Sequence, residues 1–131
     1  MTTELNELKD ELGTNPAYLC GRVMALLARI QEIALPGVGA GVVQRYYAAA
    51  SATPSLVLGR LMRNAQIGHL PKFGEGKEGL RIWFERQLAD VWGRLKEKPP
   101  RALSLEEQTL FAMGYYHQMA SRGSSTDSNN Q

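Results

Sequence analysis

At 131 residues, with 44% hydrophobic and 21% charged residues, the chain has the length and make-up of one soluble globular domain. Its apolar runs are interrupted by Arg or Gly well short of a membrane span, and its acidic, polar start (Met1-Thr-Thr-Glu-Leu-Asn-Glu7) excludes a secretory signal. A formal net charge of +2 excludes a histone-like polycation, and the single Cys20 excludes an internal disulfide and fits a reducing cytoplasm.

The charge is unevenly distributed. Glu4, Glu7, Asp10 and Glu11 crowd the first eleven residues against Lys9, and residues 33–74 then contain no acid at all. Across residues 12–74, Arg22, Arg29, Arg45, Arg60, Arg63 and Lys72 face only Glu32. Solvated surfaces mix both signs, so a one-signed stretch points to a polyanionic partner.

Asn15-Pro16 is a cap followed by proline at a first helical position, and predicts a helix running to about Leu35, stopped by Pro36-Gly37. Leu19, Val23, Leu26, Leu27, Ile30 and Ile33 recur at threes and fours as one core stripe. Gly21, Ala25 and Ala28 leave the other side small enough for a second backbone to approach. Residues 37–41 are a glycine-rich joint lacking the strand and the Lys-Ser/Thr of a phosphate-binding loop. A second helix is predicted over about residues 42–50. Thr53-Pro54 repeats the cap-and-proline start and opens a third helix to about residue 70. Leu58, Leu61, Met62, Ala65 and His69 fall on one of its faces, and Arg60, Arg63 and Asn64 on the other.

After a glycine-rich loop at 71–79, a fourth helix over about 80–98 buries Leu80, Phe84, Leu88, Val91 and Leu95, and Pro99-Pro100 ends it. Ser104-Leu-Glu-Glu107 is a capping box for a fifth helix reaching about Ser121. That helix is apolar around most of its circumference, so it is expected to be central or covered by a partner. The expected organisation is an acidic segment at 1–12, a compact all-α bundle of about five helices at 13–122, and a disordered polar tail at 123–131.

No enzymatic constellation emerges. His69 and His117 stand apart and read as packing residues, Cys20 reads as a small hydrophobe, and Glu107 is committed to its cap. No metal, cofactor or catalytic residue is expected. On the fourth helix, Arg81–Glu85, Arg86–Asp90 and Asp90–Arg94 read as surface pairs. Arg22 and Arg29 lie seven apart at the border of the core stripe. Arg60 and Arg63 have no carboxylate within helical reach, which suits guanidinium recognition of phosphate. Tyr46 and Tyr47 beside Arg45 offer rings for an unpaired base. The candidate nucleic-acid-binding residues are therefore Arg22, Arg29, Arg45, Arg60, Arg63 and Lys72.

Three segments carry a family resemblance: Asn15-Pro-Ala-Tyr-Leu-Cys-Gly-Arg-Val-Met-Ala-Leu-Leu27, Arg45-Tyr-Tyr-Ala-Ala-Ala-Ser-Ala-Thr-Pro54 with the following Leu-Gly-Arg-Leu-Met-Arg63, and Ser104-Leu-Glu-Glu-Gln-Thr-Leu-Phe-Ala-Met-Gly-Tyr-Tyr-His-Gln118. Together they resemble the C-terminal helical region of the large subunit of type I-C CRISPR interference complexes. That region is also made from an internal start as the separate small subunit of the Cascade complex. The resemblance covers about residues 13–118, and a chain of this extent looks like the free-standing small subunit. It implies a non-catalytic cytoplasmic role among other Cascade subunits, backbone and large, and further copies of itself. The guide RNA–DNA R-loop would be held through sequence-independent contacts, chiefly to the displaced non-target DNA strand, with no membrane involved. Two other readings stay open: a purely structural spacer whose arginines meet acidic patches on neighbouring subunits, and a helix-turn-helix regulator. Leu56, Ile67 and Leu70 interrupt the polar face that a regulator's recognition helix needs.

Overall fold

The computed structural model describes residues 12–37, 41–96 and 98–129. Among these the chain forms five α-helices and no strand: α1 (Pro16–Ala34), α2 (Val42–Ala52), α3 (Pro54–Asn64), α4 (Glu78–Arg94) and α5 (Leu105–Asn129). The all-α bundle expected from periodicity is what forms. The acidic segment at 1–11 and the centre of the glycine joint at 38–40 lie outside the described residues.

Local capping chemistry fixes the helix starts. Asn15 Oδ1 accepts the Tyr18 amide at 3.1 Å, with Pro16 preset for the first turn. The capping box closes from both sides: the Ser104 amide donates to Glu107 Oε1 at 2.8 Å, and the Glu107 amide donates to Ser104 Oγ at 3.1 Å. At Thr53 the expected cap takes another form. Its side chain makes no N-cap bond and instead donates from Oγ1 back to the Ala49 carbonyl at 3.0 Å, closing α2 while Pro54 opens α3.

The helix buried on nearly every side is α1. Its twelve buried residues run from Ala17 to Ile30, and they include the small Gly21, Ala25 and Ala28 as well as the leucine stripe. Of the two expectations for α5, central or covered by a partner, the first gives way to α1: α5 buries Phe111, Gly114, Tyr115 and Gln118, while Leu105 and Tyr116 face outward. The physical reason is the small side chains of α1, which let α5 press onto it. A Cβ placed on Gly21 would fall on the Phe111 carbonyl, and one placed on Gly114 would fall on the Tyr18 carbonyl. The two backbones touch at these glycines. Around the crossing, Tyr18 Oη and His117 Nδ1 share a 2.7 Å hydrogen bond, and Tyr47 stands edge-on to Phe111 and Tyr115 at 5.4 and 5.3 Å. From α4, Phe84, Leu88 and Val91 complete the core.

Three boundaries differ from the sequence reading. Beyond Asn64 the third helical run continues as a π-helical turn (Ala65–His69) and a 3-10 turn (Leu70–Lys72). The Leu70 amide donates five residues back to the Ala65 carbonyl, so both of these buried residues return to one face, which α-periodicity would not allow. The fourth helix ends at Arg94, short of the expected residue 98. A proline ring clashes with the carbonyl four residues earlier, so Pro99 acts back to Leu95, which turns half-buried toward the core. At the other end of the chain, the helical backbone of α5 runs past Ser121 to Asn129.

The glycine crossing makes an opposite-sign prediction for one chemical change. Gly21→Ala or Gly114→Ala is expected to cost about 3 kcal/mol or more, because backbone cannot yield as a side chain can. Gly59→Ala, on α3 with nothing within 4 Å of its added methyl, is expected to gain about 0.5–1 kcal/mol. Urea unfolding followed by far-ultraviolet circular dichroism compares them directly. Equal effects at Gly21 and Gly59 would exclude the backbone contact.

Candidate nucleic-acid interface

The six basic residues singled out by sequence separate into two classes. Those on α1 are engaged within the bundle. Arg22 is half-buried, and its Nε donates to Gln118 Oε1 of α5 at 2.8 Å. Burial pulls its pKa below the usual guanidinium range, with Tyr18 and Asp90 opposing that shift and Arg94 adding to it. Arg29 pairs with Glu32 at 3.1 Å, and its buried Nε has no hydrogen-bond partner among the described residues. The two arginines that spacing sets in line are thus tied to separate partners.

Arg45, Arg60, Arg63 and Lys72 are exposed, and none has an ion pair with another described residue. Arg60 and Arg63 stand together on the outer face of α3, opposite the buried Leu58, Leu61 and Met62. Leu56 and Ile67 lie on the same stripe, at spacings of four, three and four along the run 56–60–63–67. They are 65% and 73% exposed, so the stripe reads aliphatic, cationic, cationic, aliphatic. Lys72 sits beyond the π turn beside His69, whose pKa is lowered by burial first and by Lys72 second. Arg45 is on a different helix, α2.

The rings next to Arg45 are engaged in packing. Tyr47 is edge-on to Phe111 and Tyr115, and Tyr46 is half-buried against the core. The exposed tyrosine ring is Tyr116, which rests edge-on against Tyr115 at 5.3 Å and is 67% exposed. Sequence spacing treated the two tyrosine pairs alike; only packing separates them.

The pairs on α4 are also redistributed. Arg81–Glu85 forms at 2.9 Å and Asp90–Arg94 at 3.4 Å. Asp90 has an arginine four residues to either side and takes the C-terminal one, the favoured order for a helix pair. Arg86 is left exposed with no ion pair among the described residues, alongside the exposed Ile82 and the half-buried Trp83. The connector after α4 adds exposed Lys96, Lys98 and Arg101, which do not stand out as an acid-free stretch because Glu97 lies among them in the sequence. A count of net cations over residues 94–101 would have found it.

Among the described residues there is no group of three or more His, Cys, Asp or Glu placed to hold a metal ion. Nor is any helix long and apolar enough to cross a membrane. Cys20 is fully buried, and burial pushes its thiol up to about 12.

With this geometry in place, the comparison with known families decides the assignment. A profile of the family described as CRISPR-associated protein (Cas_Csd1) matches residues 3–122, nearly the whole chain. The chain belongs to this family. No curated protein matches it. The match spans every helix start and the glycine crossing, so the Cas_Csd1 segment here is the all-α bundle itself. As a CRISPR-associated protein, its setting is that of the other Cas components.

Because Cys20 lies in the α1–α5 core, its reactivity reports integrity of the bundle. Its raised pKa leaves almost no thiolate below pH 9 in the folded chain, while the unfolded thiol titrates near its ordinary 9.0. A thiol reagent at pH 8 is expected to label Cys20 only as fast as the bundle opens, and at least about a hundredfold faster in denaturant. Rapid labelling of the folded chain would place Cys20 at the surface.

Proposed function

We propose that the chain is the non-catalytic small subunit of a type I-C CRISPR Cascade complex. On this reading it works in the cytoplasm and lines the path of the DNA strands in the R-loop. It steadies them through backbone contacts that ignore sequence, chiefly on the displaced non-target strand, and it bridges neighbouring subunits. Membership of the Cas_Csd1 family supports the CRISPR setting. The observation that carries the nucleic-acid part is the Arg60–Arg63 pair: exposed, side by side on one helix face, and without a carboxylate partner among the described residues.

The physical logic is direct. A guanidinium fork matches two phosphate oxygens without reading a base, and each such contact releases a counterion. Exchanging a DNA duplex for an RNA–DNA duplex is nearly balanced, so a few contacts to the displaced strand shift the equilibrium toward the open loop. No bond is made or broken by this subunit, and no cofactor is needed for the role.

The exposed Leu56 and Ile67 beside the arginines favour a second reading, in which α3 docks against a neighbouring subunit and the chain is a structural spacer. One variant separates the two. In the assembled complex, Arg60→Ala with Arg63→Ala is expected to leave subunit stoichiometry intact. It should flatten the dependence of log affinity for DNA on log salt by about 1.4, at roughly 0.7 per single-strand phosphate contact. An unchanged slope with intact assembly would falsify the phosphate contact, and loss of the subunit from the complex favours the spacer.

A further inference from the structure

The connector between α4 and α5 is fastened to the corner where α2 meets α3. The Ser55 amide donates to the Pro100 carbonyl at 3.0 Å, and the Leu103 amide donates to the Ala52 carbonyl at 2.9 Å. Leu103 is also buried in the core. Arg101 and Ala102 are held between these two anchors, and both are exposed. Pro99 and Pro100 fix φ on the approach, so less backbone freedom is lost in holding Arg101 there. A cation remote in sequence from the arginines of α3 is thereby brought to the N-terminal end of that helix.

Ser55 precedes Arg60 by five residues, which is about 7.5 Å of rise along the axis of α3. The exposed Leu56 lies between them, and Arg63 follows Arg60 by one turn on the same outer face. Upstream of Arg101, Lys98 is exposed three residues away, at most about 10 Å along the chain. Arg63, Arg60, Arg101 and Lys98 therefore succeed one another along α3 and onto the connector. Little opposing charge accompanies them. Residues 33–74, which include all of α2 and α3, hold no acid, and residues 96–101 set Lys96, Lys98 and Arg101 against Glu97. On the other side of Arg101, the Glu107 carboxylate is occupied by the Ser104 amide. Neither Lys98 nor Arg101 has an ion pair with another described residue.

We propose that Arg101 and Lys98 continue the phosphate contacts of Arg60 and Arg63. One single-stranded nucleic-acid backbone then crosses from the outer face of α3, over the α2–α3 corner, onto the connector. The inference rests on the phosphate reading of α3, and it gives that site two further residues and a path. The cations stand in file, each separated from the next by a turn of helix or a short stretch of chain. Such a file matches the linear, regularly repeated charge of a polynucleotide strand. None of the four side chains needs to read a base, so the path is open to any sequence.

The DNA affinity of the assembled complex across a salt series tests the path. Lys98→Ala with Arg101→Ala is expected to flatten the dependence of log affinity on log salt by about 1.4, as Arg60→Ala with Arg63→Ala does. The fourfold variant is expected to flatten it by about 2.8, at roughly 0.7 per single-strand contact. Arg101→Lys is expected to keep the slope, because its charge is what the strand meets. Lys77→Ala removes an exposed cation that lies on neither α3 nor the connector, and is expected to leave the slope unchanged. A loss at Lys77 equal to that of the connector variant makes the effect a general field and overturns the path. If only the Arg60/Arg63 variant flattens the slope, the path fails while the phosphate reading of α3 stands. If only the connector variant does, the α3 reading fails, and the continuous path fails with it. Loss of the subunit from the complex, with an unchanged circular-dichroism spectrum of the isolated connector variant, assigns the connector to a neighbouring protein and also overturns the path. Lys98→Gln with Arg101→Gln, which keeps side-chain length, gives the same reading if the alanine variant folds poorly.

Discussion

The meeting of α1 and α5 at Gly21 and Gly114 constrains everything else in this bundle. Helices separated by ordinary side chains pack with axes about 8–10 Å apart. Here each glycine leaves open the volume of a Cβ, and a carbonyl of the opposite helix occupies it: Phe111 at Gly21, Tyr18 at Gly114. The contact is reciprocal, so it fixes sliding and rotation together. Polar side chains then meet across the same interface in defined pairs, Tyr18 with His117 and Arg22 with Gln118. Once α5 is seated, Tyr47 of α2 has its ring-edge contacts with Phe111 and Tyr115. The capping box at Ser104 matters for the same reason: it sets where the helix begins, and hence which glycine reaches the crossing.

Burying α1 on nearly all sides has consequences for its polar residues. Arg22 enters a partly dry interface, and its hydrogen bond to Gln118 offsets part of the desolvation that lowers its pKa. Arg29 keeps Glu32 but leaves Nε buried without an acceptor among the described residues. Cations held this way are poorly placed to exchange water for phosphate oxygens. The outer face of α3 is different, because that helix needs only one side for the core. Leu58, Leu61 and Met62 satisfy it, and the opposite side is free to carry Arg60 and Arg63.

Local chemistry is what the sequence made readable. Asn15-Pro16 and the Ser104–Glu107 box involve partners three residues apart, so their spacing is the interaction. Thr53-Pro54 marked its boundary correctly, although the hydroxyl bonds backward. The small face of α1 was legible too, since Gly21, Ala25 and Ala28 advertise a close approach; which helix approached was not. Apolar residues around the circumference of α5 suggested a helix either central or covered by a partner, yet that measure undercounts alanine and glycine, the residues that let α1 be enclosed. The Arg22–Gln118 bond joins residues 96 positions apart and leaves no trace in local spacing. The π turn is likewise a tertiary outcome, since the demand that Ala65 and Leu70 share one buried face comes from the rest of the core. Asp90 had two arginines at equal spacing, and helix order decided between them.

The mixed character of the α3 stripe bears on how such a subunit would work within an assembly. Two guanidinium groups on a free monomer would hold a strand only weakly at physiological salt, since contacts of this kind are screened and unspecific. Leu56 and Ile67 would be left in water on that monomer, at an apolar cost. Both problems have one solution if the stripe lies where a strand and a neighbouring protein surface meet. The aliphatic ends are then covered, the local dielectric falls, and each arginine–phosphate contact gains strength from the exclusion of water. On the proposed reading, affinity for DNA therefore belongs to the assembled complex more than to its small subunit.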